Sequence, residues 1–113
     1  MKLIITKMIR RYGQTVKRQK RIRHKDNGEV YYTYTVEEPI RGQFTQILPT
    51  DEAYNRWGRS IEADYIGCLL PGTEIYEGDL LYINDNWYEC TTMAKRRTRG
   101  IVDYIEILLV RKK

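Results

Sequence analysis

Residues Gly78 to Cys90, Gly-Asp-Leu-Leu-Tyr-Ile-Asn-Asp-Asn-Trp-Tyr-Glu-Cys, restrict the fold more than any other stretch. Two short apolar-aromatic runs, Leu80 to Ile83 and Trp87 to Cys90, flank the cluster Asn84-Asp85-Asn86. Small polar side chains of this kind tolerate left-handed backbone angles, so the pattern predicts a β-hairpin. A lone two-stranded ribbon is barely stable in water, and further strands must pack against it. With 113 residues the chain reads as a single domain, 1–113, long enough to bury a modest core.

The other segments suit an antiparallel β fold. Leu3 to Tyr12 reads as a first strand, with Ile5, Lys7, Ile9 and Arg11 alternating against Ile4, Thr6, Met8 and Arg10, and Gly13 ending it. Thr15 to Lys25 has too little apolar material for a core strand. It reads as part of a long basic loop at about residues 13–29, either exposed or drawn into a protruding ribbon that turns at Asp26-Asn27-Gly28. Val30 to Val36 alternates cleanly: Val30, Tyr32, Tyr34 and Val36 share one face, Tyr31, Thr33 and Thr35 the other. Pro39 and Gly42 break the chain before a short strand from Gln43 to Leu48. Pro49-Thr50-Asp51-Glu52 predicts the start of a single short helix running to about Arg59, with Thr50 as cap and the two acids at the positive end of the dipole.

Ile61 to Leu70 reads as a strand, and a basic loop from Lys95 to Gly100 leads to the last one, Ile101 to Val110. The tail at 111–113 is expected to fray. Six or seven strands with one short helix describe an all-β, mainly antiparallel small barrel or sandwich. The aromatic set agrees: ten Tyr stand against one Phe and two Trp, and tyrosine favours strands and half-wet interfaces.

Charge is segregated along the chain. Residues 1–25 carry ten Lys/Arg and no acid, residues 26–94 carry three Arg against thirteen Asp/Glu, and residues 95–113 carry seven Lys/Arg against two acids. Such blocks suit a protein with opposite faces, able to meet nucleic acid or to stack head to tail on itself; equally, they neutralise one another if they fold together.

Catalysis has little to work with. His24 is the only histidine and Ser60 the only serine, so neither a Ser/His/acid set nor a two-histidine metal site can be assembled. Adjacent acids at Glu37/Glu38 and Asp51/Glu52 suit a turn and a helix start, and Glu62/Asp64 share a solvated strand face. Phosphate-cradling glycine loops are absent. Cys68 and Cys90 lack C-x-x-C spacing and read as free thiols in strands, without a base to activate either. The expectation is a non-enzyme with no catalytic residue, metal or cofactor. The apolar run Leu3-Ile4-Ile5 is too short for a signal peptide and no stretch reaches transmembrane length, so a soluble intracellular protein without membrane association is expected.

Two basic clusters remain as candidate contacts. Lys17, Arg18, Lys20, Arg21, Arg23 and Lys25 form the first; Lys95, Arg96, Arg97 and Arg99 form the second. Clusters of this kind attract phosphate without sequence preference, and Tyr31, Tyr32 and Tyr34 offer rings on which bases can stack. A non-specific nucleic-acid-binding small barrel is therefore an alternative reading, beside the plainer one of solvated loops and packed tyrosines.

From about residue 40 to 110 the chain resembles the small β-barrel head-completion proteins of tailed bacteriophages, the connector, adaptor and stopper family. The resemblance rests on Pro49-Thr50-Asp51-Glu52, the strand Ile61 to Leu70, Gly78-Asp79, the apolar run Leu80 to Ile83, the turn Asp85-Asn86, the aromatic return Trp87-Tyr88-Glu89-Cys90, Gly100, and Ile101 to Val110. It departs at Asn86, where a glycine is common, and in its very basic first loop.

The resemblance implies a structural virion protein, present in the host cytoplasm during assembly, that forms a ring below the portal and joins the DNA-filled head to the tail. Portal or adaptor ring and tail proteins are the implied partners. The long loop would project towards packaged double-stranded DNA, so the first cluster becomes a candidate DNA or ring contact. A tail-completion or tail-terminator protein is the neighbouring alternative.

Overall fold

The computed structural model describes residues 2–47 and 63–112. The chain runs through a helix α1 (Lys2–Tyr12), then β1 (Gln14–Gln19), β2 (Arg21–Asp26), β3 (Glu29–Tyr34), β4 (Glu38–Gln46), β5 (Tyr65–Leu69), β6 (Leu80–Ile83), β7 (Asn86–Thr98) and β8 (Ile101–Arg111). Six strands close a barrel in the order β1-β4-β5-β8-β7-β6, with β1 pairing β6 to complete the ring, while β2 and β3 form a separate two-stranded sheet. Every strand pair among the described residues is antiparallel. The expected small antiparallel β-barrel is therefore the fold, and the 80–90 hairpin packs against the last strand through the β7–β8 ladder.

Several local expectations are corrected. Residues 2–12 are helical rather than extended. A strand would have set Lys7 and Arg11 on one face and Arg10 on the other, charging both. The helix instead turns Ile9 fully inward and keeps Lys7, Arg10 and Arg11 exposed, with Arg10 and Arg11 in the last turn beside its negative end. Within 13–29 the ribbon turning at Asn27-Gly28 is as expected, but Gln14–Gln19 is a barrel strand rather than loop. β1 is held on both sides by β4 and β6, and the rest is zipped into the β2–β3 hairpin, whose inward-facing backbone groups pair without an apolar core of their own.

Pro39 and Gly42 lie inside β4 rather than breaking the chain. β4 pairs β1 through Glu38 to Gly42 and β5 through Gly42 to Gln46, so the strand changes neighbours at the glycine. A Cβ there would stand 2.5 Å from Leu69 Cδ2, and one at Gly67 would stand 2.9 Å from the ring of its cross-strand partner Phe44. Both glycines let the barrel wall bend and the Phe44 ring lie close over it.

The supposed loop at 95–100 is the end of a long hairpin, since β7 continues to Thr98. The tail does not fray as far as Lys112: Arg111 pairs with Tyr88, and the Lys112 amide donates to Trp87 O at 2.9 Å. The helix expected over 51–59, and the ends of the flanking strands at Leu48, Ile61 and Glu62, lie outside the described residues.

The core fills the barrel from alternate positions, among them Val16, Ile40, Leu69, Leu81, Ile107 and Leu109. Tight two-residue turns close its hairpins. Asn84 and Asp85 have φ of 48° and 66°, Asn27 and Gly28 49° and 84°, and Arg99 and Gly100 52° and 83°. Positive φ at both central residues marks turns whose twist matches that of the strands. Arginine suits φ 52° less well than asparagine does. Arg99→Asn should stabilise the protein by up to about 1 kcal/mol, read as a higher urea midpoint at unchanged slope.

Candidate interaction surface on the basic ribbon

The β2–β3 ribbon is the part of the fold whose side chains are not used to fill the barrel. Register pairs Arg21 with Tyr34, Arg23 with Tyr32 and Lys25 with Val30, while Ile22 faces Thr33, His24 faces Tyr31 and Asp26 faces Glu29. Because side chains alternate, one face carries three cations with two tyrosines and a valine and no acid. The other carries His24, Tyr31, Ile22 and Thr33, with both acids at the tip. Most of these side chains are exposed on both faces.

Contacts within the ribbon stiffen it. His24 stacks on Tyr31 with ring centroids 4.9 Å apart, and its Nε2 lies 2.7 Å from Thr33 Oγ1. The Arg21 guanidinium sits 4.4 Å from the Tyr32 ring centre, and Lys112 Nζ sits 5.4 Å from that of Tyr34. One clamp fixes the root. Asp79, fully buried, accepts the Arg21 amide on Oδ1 and the Tyr76 amide on Oδ2, each at 3.1 Å. Between the roots of the two strands, the Lys20 amide donates to Thr35 Oγ1 at 3.0 Å. A groove of about 470 Å³ opens where the root meets the β6–β7 turn, lined in part by Tyr34, Leu80, Trp87 and Lys112.

The six basic residues of the first cluster divide into three groups. Arg21, Arg23 and Lys25 line the acid-free face. Lys17 lies on β1, 3.5 Å from Glu37 and over the Tyr82 ring, and Lys20 lies 3.2 Å from Glu74 and 3.8 Å from Glu38. Arg18 is no surface contact at all. It is buried, donating to the Glu74 carbonyl and to Glu38 Oε1 at 2.9 Å, because it falls on the inward-facing parity of β1 with Val16.

The second cluster also splits. Arg96 is bound at 2.7 Å to the buried Glu106 carboxylate, Arg97 donates to the Gly100 carbonyl at 3.1 Å, and Lys95 and Arg99 are exposed. Sequence reading missed Asp79 as the clamp. Its signal was present, an acid directly after Gly78 and three residues after Tyr76, but that spacing also suits an ordinary turn.

The described residues contain no group of three or more His, Cys, Asp or Glu placed to hold a metal ion, and no helix long and apolar enough to cross a membrane. Neither cysteine is in a disulfide; Cys68 is half-buried and Cys90 fully buried. Burial, reinforced by the charges of Asp79 and Glu77, pushes the Cys90 thiol up to about 12 from an ordinary value near 9. A folded-state pKa raised in this way adds stability that is fully present below about pH 9 and is lost as the pH rises towards 12. Urea midpoints should therefore fall across that window, and Cys90→Val should flatten part of the fall. Tyr88, raised by burial in the same direction, supplies some of the remainder.

No family model, curated protein or solved structure matches the chain.

Proposed function

We propose that the chain is a structural subunit of a tailed phage that forms a ring below the portal, completes the DNA-filled head and joins it to the tail. The observation that carries the reading is the basic β2–β3 ribbon, a two-stranded arm clamped at its root, with both faces in solvent, on a closed barrel. Isolated ribbons gain too little burial to be useful alone, and such an arm makes sense in a molecule completed by neighbours. Closed barrels have few open edges, so subunits can crowd together without uncontrolled strand pairing. A ring needs a different surface on each side of every subunit, and the arm's two unlike faces suit that need.

Arg21, Arg23 and Lys25 are the residues assigned to contact, with Lys17 and Lys20 flanking and Lys95 and Arg99 as a secondary site. The anion they meet is the phosphate backbone of packaged double-stranded DNA or the acidic rim of the next ring. A single-strand binder that stacks bases is less well supported, because Tyr31 and Tyr32 each have one ring face taken, by His24 and Arg21.

The purified chain mixed with assembled portal ring, with or without adaptor, should co-elute as a stable complex in size-exclusion chromatography. Absence of any complex at low and at moderate salt would count against the connector role.

A further inference from the structure

The two edges of the ribbon differ in a way the connector role does not require. The Thr35 amide donates to Lys20 O at 3.0 Å, which marks Lys20 and Thr35 as a pair that bonds across the ribbon. Alternation along an antiparallel ladder then assigns the same inward bonding to Ile22–Thr33, His24–Tyr31 and Asp26–Glu29. The residues between them, Arg21, Arg23 and Lys25 on β2 and Val30, Tyr32 and Tyr34 on β3, direct their amides and carbonyls outward. Arg21 behaves accordingly, its amide leaving the ribbon to reach Asp79.

The β2 edge is guarded by three cations and capped at its root by Asp79. The β3 edge has no guard. From Val30 to Val36 the sequence is Val-Tyr-Tyr-Thr-Tyr-Thr-Val, seven residues without a charge or a proline. No described strand pairs with its outer side. Tyr31 and Tyr32 are 50% and 46% exposed, and Val36 is 86% exposed. Soluble proteins blunt open edges with charge, proline or bulges, and an uncharged β-branched and aromatic edge is a template for another strand.

We propose that the outer edge of β3 pairs antiparallel with the same edge of a second copy, centred on Tyr32, to form a two-fold dimer through a four-stranded sheet. The edge is complementary to itself. With Tyr32 opposite Tyr32, Val30 meets Tyr34 and every outward amide faces an outward carbonyl, while Tyr31 meets Thr33. Only uncharged side chains then meet at the seam, so no like charges oppose one another. The cationic β2 strands fall on the two outer margins, three strand spacings or about 14 Å apart. Those margins carry the guard residues, so pairing stops at two copies instead of running on into a fibre. This inference is independent of the connector reading.

Sedimentation velocity of the full chain from about 10 μM to about 1 mM should show a monomer–dimer equilibrium. Tyr32→Lys places two ammonium groups directly opposite one another and should raise the dissociation constant about tenfold or more, with the far-ultraviolet spectrum unchanged. Directly bonded antiparallel partners stand about 5.5 Å apart at Cα, within disulfide reach. Mild oxidation should therefore cross-link Tyr32→Cys, while Tyr31→Cys, which faces Thr33 of the other copy, and the wild type with its Cys68 and Cys90 should stay single. A monomer at all concentrations with no Tyr32→Cys cross-link would overturn the proposal, as would equal cross-linking of Tyr31→Cys and Tyr32→Cys.

Discussion

Asp79→Ala is expected to cost about 2–4 kcal/mol and to loosen the ribbon from the barrel. The carboxylate is 1% exposed and accepts two backbone amides, from Arg21 at the ribbon's root and from Tyr76 in the loop before β6. Its own carbonyl accepts the Cys90 amide at 2.9 Å, so the residue joins ribbon, loop and β7 at one point. Alanine leaves the Arg21 and Tyr76 donors without their acceptor, and buried orphan donors are expensive. Asparagine keeps one acceptor oxygen and should lose about half as much. Urea unfolding reads the stability, and amide exchange reads the location. Protection should fall most at the amides of β2 and β3, with the β5 and β8 amides following global stability. A ribbon as protected in Asp79→Ala as in the wild type, at unchanged global stability, would show that the clamp holds nothing.

Neutralising the ribbon's basic face, Arg21, Arg23 and Lys25 together to Gln, should have the largest functional effect. Arg18 is left alone because it is buried and its loss would damage the barrel. If the face grips duplex DNA, losing three phosphate contacts should reduce the salt dependence of binding by about 0.9 per contact in log–log slope. Particles should then still join head to tail but leak or lose their packaged DNA. If the face instead docks on an acidic neighbouring ring, heads should fail to recruit the next component, and DNA affinity should be irrelevant. Particles of normal number, DNA content and infectivity would dismiss both roles.

The architecture was legible where period and turn chemistry agreed. Asn84 and Asp85 between two apolar runs gave the central hairpin, and Asn27-Gly28 gave the ribbon's corner, because both positions must accept positive φ and few residues do so readily. Arg99-Gly100 obeyed the same rule, but four cations from Lys95 to Arg99 made the segment look like a solvated loop. The first helix was lost because residues 3–12 mix apolar and basic side chains in an order that a two-residue period nearly fits. Only packing decides that Ile9 alone of Lys7 to Tyr12 goes inside.

Charge was harder to read than hydrophobicity. Lys17 and Arg18 are neighbours in sequence, yet strand parity sends one to the surface and the other inward to Glu38. No composition rule separates them until the register of β1 is known. The acid-free face of Arg21, Arg23 and Lys25 likewise exists only because β2 and β3 pair in one register, which the tight Asn27-Gly28 turn fixes.

Reconstruction of the head-to-tail junction in particles assembled with this chain bears most directly on the proposed role. The expected result is a closed ring of six-stranded barrels between portal and tail, each placing its β2–β3 arm against the DNA axis or the facing ring. Complete, infectious particles that lack the chain at that junction would contradict it.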